Sequence, residues 1–121
     1  MKRVLLTLLA ATTLAAAFAL PASASAFWLQ NLQAEGWTDG VVFEVEVCNA
    51  RGRIVHVDFD YSNQEEEGLI YHTRWSGRSR YYCGDLRVWE RTPMWGGLWG
   101  TGVAVTVGRT TQTLEPVGFR V

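Results

Sequence analysis

Val41-Val42-Phe43-Glu44-Val45-Glu46-Val47-Cys48 and Ile54-Val55-His56-Val57-Asp58-Phe59-Asp60-Tyr61 decide how this chain folds. In the first, Val41, Phe43, Val45 and Val47 fall on one side of an extended backbone and Glu44 and Glu46 on the other. In the second, Val55, Val57, Phe59 and Tyr61 oppose His56, Asp58 and Asp60. Both read as β-strands with one buried and one wet face, rich in the β-branched and aromatic residues that suit a pleated surface. Asn49-Ala50-Arg51-Gly52-Arg53 between them has turn composition, which predicts a hairpin.

Working outward, residues 69–75 read as a short strand, Ser76-Gly77-Arg78-Ser79 as a turn and residues 81–90 as extended, up to Pro93. Met94-Trp95-Gly96-Gly97-Leu98-Trp99-Gly100 has too much glycine for a strand or helix interior and is expected to be a loop or an irregular edge. Val103, Val105 and Val107 resume the alternation, Val117, Phe119 and Val121 close the chain, and residues 27–32 add an N-terminal strand. About seven short strands with turn signals roughly every ten residues predict an all-β fold, a small antiparallel β-sandwich of immunoglobulin-like architecture. A small β-barrel is the alternative.

The chain begins differently. Lys2 and Arg3 precede an apolar run from Val4 to Leu20, followed by Pro21 and the small residues Ala24-Ser25-Ala26. This is the pattern of a secretory signal peptide over residues 1–26, with cleavage after Ala26 and Ala24 as the alternative. The remainder, residues 27–121, suffices for one domain. It holds nine arginines, no lysine and twelve acids, a net charge of −3. That balance supports neither general nucleic-acid binding nor a polybasic membrane anchor. No stretch after residue 26 is long and apolar enough to span a bilayer, so the expected product is exported and soluble, periplasmic or extracellular.

Export gives Cys48 and Cys83 their meaning. In an oxidising compartment the only two cysteines form a disulfide rather than a redox or metal site. Both alternate with charged residues, so the bond is expected to be a peripheral staple near strand ends, not the core-spanning bridge of an antibody domain.

Tryptophan and tyrosine together number ten in the 95 residues after the signal. Trp75, Tyr81, Trp89, Trp95 and Trp99 are not assigned cleanly to the core by alternation, and Arg74, Arg78 and Arg80 cluster around Trp75. Aromatic faces stack on sugars and anchor protein interfaces, and guanidinium groups capture carboxylates. The four tryptophans and three arginines form the candidate contact surface for a glycan or protein ligand. Polar residues elsewhere support less. His56, Asp58 and Asp60, joined by His72, suit a transition metal chemically but match no ligand spacing, and alternation alone accounts for them. Glu65-Glu66-Glu67 lacks calcium-loop spacing. No metal or cofactor is therefore expected.

Catalytic motifs are absent: there is no Gly-x-Ser-x-Gly, no His-Glu-x-x-His and no glycine-rich phosphate loop. The expected function is a non-catalytic binding or adhesion-type domain. The alternative is a structural or inhibitory protein that docks through a strand edge or through residues 91–101, and a hydrolase ranks third.

Gly36-Trp37-Thr38-Asp39-Gly40, leading into Val45-Glu46-Val47-Cys48-Asn49 and matched by a terminal Gly118-Phe119, resembles landmarks of some secreted bacterial carbohydrate-binding sandwiches. Those landmarks are Trp-x-x-Gly, Val-x-Val-x-Asn and Gly-Phe. The resemblance implies a sandwich fold and a glycan ligand. Such families bridge their chain ends by a disulfide, whereas Cys48 and Cys83 are internal, so no ligand-contacting residue is carried over.

Overall fold

In the computed structural model, residues 26–66 and 68–121 are described. The signal-peptide reading therefore lies, apart from Ala26, outside the described residues. Eight strands are present: β1 (Trp28–Trp37), β2 (Gly40–Cys48), β3 (Ile54–Asn63), β4 (Tyr71–Arg78), β5 (Cys83–Arg91), β6 (Leu98–Val107), β7 (Thr110–Thr113) and β8 (Val117–Arg120). They make two antiparallel sheets. One has the order β1-β2-β5; the other runs β4-β3-β6-β7, with β8 also paired to β6. Open edges at β1, β4 and β5 make this a sandwich and not a closed barrel.

The expected hairpin between β2 and β3 does not form. β2 pairs with β1 and β5, whereas β3 pairs with β4 and β6, so residues 49–53 carry the chain from one sheet to the other. The two strands meet face to face. Phe43 stacks on Phe59 with ring centroids 4.8 Å apart and planes 13° from parallel. Alternation marks which side of a strand is apolar, and that side is buried equally well by a sheet packed above it. Val41, Phe43, Val45 and Val47 from one sheet and Val55, Val57, Phe59 and Tyr61 from the other are all buried in this shared core.

Further boundaries differ from the sequence reading: β1 runs on from residue 32 to Trp37, and β5 starts at Cys83 rather than at residue 81. β4 runs through Ser76, Gly77 and Arg78 instead of turning there. β6 begins at Leu98, five residues before Val103, because Trp99 and Thr101 continue the inward row while Gly100 and Gly102 occupy the outward one. Glycine on that outward row serves close approach: the Gly102 N–H donates to Asp60 Oδ1 at 3.0 Å, beside which there is little space for a Cβ. The additional strand, β7, is Thr-Thr-Gln-Thr and has no apolar alternation to reveal it. It is held by the backbone ladder to β6 and by a hydroxyl pair, Thr106 with Thr111, at 2.7 Å.

Cys48 and Cys83 are bonded, with Cα atoms 4.0 Å apart. They are directly opposite in the β2–β5 register, at the last residue of one strand and the first of the other. The staple lies within one sheet, at its end, as the alternation with charged residues predicts. Cys48 is nevertheless fully buried, and Trp28, its neighbour on β1, meets Tyr82 edge-on at 5.9 Å.

Candidate functional site

The unpaired edges of β4 and β5 lie on the same side of the sandwich, and between them is a cleft of about 250 Å³. Val47 and Val55, from the buried rows of opposite sheets, form its floor with Leu86; Trp75 and Tyr81 flank it, and Arg78, Arg80 and Asp85 line its polar margin. Local sequence shapes both aromatic walls. Gly77 follows Trp75 by two residues and so shares its face, and a Cβ there would collide with the indole, so glycine lets the ring lie against the strand. Tyr81 lies in the β4–β5 turn and leans over Gly84, whose Cβ would stand 3.8 Å from the Tyr81 ring.

Turn hydrogen bonds tie this region to the crossing between the sheets. The Asn49 N–H donates to the Tyr82 carbonyl at 2.7 Å, the Gly52 N–H to Ser79 at 2.8 Å and the Ser79 N–H to Arg53 at 2.9 Å. Arg78 Nη1 donates to the Gly52 carbonyl. Gly108, in the β6–β7 turn, lies beside Arg53, a Cβ at 108 standing 3.4 Å from Arg53 Nη2. Antiparallel topology thus collects Arg51, Arg53, Arg78, Arg80 and Arg109 at one end of the molecule, with Asp85 and its register partner Glu46 as the nearby acids. The other end holds the β1–β2 turn, residues 64–70 and residues 92–97, joined by Thr92 N–H to Asp39 O at 3.2 Å and Gln64 N–H to Leu98 O at 2.9 Å. Asp39, Glu65 and Glu66 are there, with Arg91 and Arg120 as the basic residues. The eight to ten residues of each of β1 to β6 separate charges of opposite sign that are mixed along the sequence.

Among the candidate contact residues, the structure brings Trp75, Arg78 and Arg80 together. Arg74 is on the outer face of its sheet, where its Nε is 3.3 Å from Asp58 Oδ2. Adjacent residues of a strand point to opposite faces, so Arg74 does not line the cleft, although it borders with Trp75, His56, Asp58 and Thr106 a separate open depression of about 540 Å³. Trp89 is on the outer face of the three-stranded sheet and meets Trp37 at 5.4 Å and a 52° tilt; both are nearly half exposed (46% and 42%). Trp95 is exposed at the acidic end. Trp99 is a correction: with 1% of its surface accessible it is core, packed against Tyr61, Tyr71, Trp95 and Phe119, and its Nε1 donates to the Trp95 carbonyl at 3.0 Å. The four tryptophans do not share one surface. Tyr81, which alternation leaves unassigned to the core, joins Trp75 at the cleft, and Trp37 joins Trp89; Trp37 was outside the candidate residues, and its lone signal was its place in the Trp-x-x-Gly stretch.

The polar residues weighed as metal ligands are engaged separately. His56 Nδ1 is 2.7 Å from Ser76 Oγ, His72 Nδ1 is 3.6 Å from Asp58 Oδ1, and Asp60 accepts from the Gly102 backbone. Among the described residues, the potential ligands that converge most closely are Glu46, Cys48 and Cys83, whose sulfurs are consumed by the disulfide. Glu66 accepts from the Tyr71 hydroxyl at 3.2 Å.

A smaller cavity, of about 150 Å³, lies between Tyr61, Tyr71, Thr92, Met94, Trp95 and Trp99. Burial pushes the Tyr61 phenol above its ordinary value of 10.0; the charges of Glu90 and Tyr71 add to this, and a hydrogen bond with Thr92 opposes it. The folded state then keeps a proton that the unfolded chain releases at lower pH. The corresponding stability is fully present below about pH 10 and falls as pH rises beyond it. Urea unfolding at about pH 8 and about pH 11 is expected to show this fall, and Tyr61→Phe to reduce it; an equal fall in both proteins would exclude Tyr61 as its source.

No family model and no curated protein sequence matches the chain.

Proposed function

We propose that the protein is an exported, non-catalytic binding domain whose principal contact surface is the β4–β5 cleft. The observation that carries this reading is the apolar cleft floored by Val47, Val55 and Leu86, flanked by Trp75 and Tyr81 and margined by Arg78 and Arg80. Such a site accepts a ligand with an apolar group beside an anionic one. Burial of the apolar group supplies affinity, and the guanidinium groups supply orientation and charge selection. The free edges of β4 and β5 offer backbone groups to an extended chain, so an acidic protein segment fits better than a sugar. The N-terminal pattern of Lys2, Arg3, the apolar run and Ala24-Ser25-Ala26 supports export, as does a disulfide of the kind that persists in oxidising compartments.

A second reading is favoured by a separate observation, the exposed Trp37–Trp89 pair. Two indoles on a sheet face offer stacking surface to a glycan. The two readings separate on arrays of acidic, leucine-containing peptides printed beside neutral and uronate glycans. Retention on peptides that falls about tenfold or more with Trp75→Ala and with Arg80→Glu supports the cleft. Retention on glycans lost with Trp37→Ala or Trp89→Ala supports the second reading. Absence of retention on every probe would remove both.

A further inference from the structure

The two ends of the molecule are complementary to each other. At the acidic end, Leu69 and Ile70 precede β4 and are 48% and 63% exposed, the most exposed aliphatic residues among those described. They follow Glu65 and Glu66 in the same loop, whose turn passes through Gly68 in the left-handed region at φ 81°. This loop therefore presents an aliphatic pair beside carboxylates. At the basic end, the β4–β5 cleft presents an apolar floor beside Arg78 and Arg80, with Arg51, Arg53 and Arg109 in the neighbouring turns. The loop has the ligand chemistry that the cleft accepts.

We infer that the cleft binds the 64–70 loop of a second copy of this chain, so that molecules associate head to tail. Ile70 or Leu69 enters against Val47, Val55 and Leu86, and Glu65 and Glu66 face the arginines. The inference rests on the cleft being a contact surface, and it names the partner. Loop and cleft are different surfaces at opposite ends, so a bound pair still offers one free loop and one free cleft. Such a heterologous contact grows into chains of copies unless the rotation between them closes a ring. Within one molecule the two surfaces are kept apart by the length of the strands, which excludes self-occupation. The charges at the ends are solvent-exposed, so association is expected to strengthen as ionic strength falls.

The test uses two single variants of the disulfide-bonded protein. Ile70→Asp spoils the loop and leaves the cleft; Arg80→Glu reverses charge at the cleft and leaves the loop. Both sites are exposed, so both variants are expected to keep the wild-type melting temperature, which is checked first. In sedimentation velocity at millimolar concentration and low salt, wild type is expected to form species larger than a dimer, reduced by added salt. Each variant alone is expected to associate at least about tenfold more weakly. An equimolar mixture is expected to form dimers that extend no further, since the intact loop of one variant meets the intact cleft of the other. A wild-type monomer under these conditions, a limiting dimer, or oligomers indifferent to both substitutions would overturn the inference. If the protein is monomeric but acidic peptides are still retained by the cleft, the binding-domain reading stands and its partner is another protein.

Discussion

Trp99→Ala is expected to lower stability by about 3–5 kcal/mol, enough to leave much of the domain unfolded at physiological temperature. Truncation removes the largest fully buried side chain of the protein and opens a cavity at the junction of β3, β6 and β8, where Tyr61 and Phe119 pack on the indole. The Trp95 carbonyl also loses its indole donor. Trp89→Ala provides the contrast: it removes a half-exposed ring from the outer face and is expected to cost about 1 kcal/mol or less. Urea denaturation of the two variants beside wild type measures the difference. Equal costs would mean that Trp99 is not the core residue its burial indicates, and any loss of binding in Trp99→Ala has to be read against its unfolded fraction.

Reducing the Cys48–Cys83 bond is the other large perturbation. It closes 36 residues, counting both cysteines, across a sequence separation of 35, and the chain-entropy relation assigns roughly 3.8 kcal/mol to a loop of that length. The enclosed segment makes this more than a local clip. Between the two cysteines the chain leaves for the opposite sheet, forms β3 and β4, and returns as β5 beside β2. Holding both ends of that excursion removes many of the open conformations available to the unfolded chain. Thermal unfolding with and without a reducing agent, or of Cys48→Ala/Cys83→Ala, is expected to show a midpoint lower by about 15–30 °C. A shift of only a few degrees would show that the β2–β5 register is held without the bond.

The candidate site was legible only in pieces. Arg78 and Arg80 were identifiable because they flank Trp75 within a few residues, and the β4–β5 turn keeps such neighbours together. Tyr81 joins them through the same turn. Arg74 was misplaced because proximity in sequence says nothing about the face of a strand, and Trp99 because the glycines around it suggested a loop. Of those glycines, Gly96 and Gly97 precede β6 and Gly100 occupies its outward row with Gly102, where the Gln64 amide and the Asp60 carboxylate crowd the backbone. The opposition of basic and acidic ends was not legible either. Arg51 and Arg109 are far apart in sequence, and they share one end only because antiparallel strands of similar length return alternate turns to the same side.

What the sequence determined by itself is the strand character of the chain, the buried row of each well-patterned strand and the position of the disulfide at a strand end. Each follows from side chains that alternate every residue along an extended backbone, a property of neighbours that needs no partner to read. Only the tertiary structure decided that β2 and β3 lie face to face in different sheets, that Trp99 is core, and that an apolar cleft opens between β4 and β5. Those outcomes depend on which distant strand covers which apolar row. Apolar burial is proportional to area and indifferent to direction, so the pattern of one strand cannot specify its cover. Packing the two sheets across one core made that choice, and it left the edges of β4 and β5 free beside the arginines.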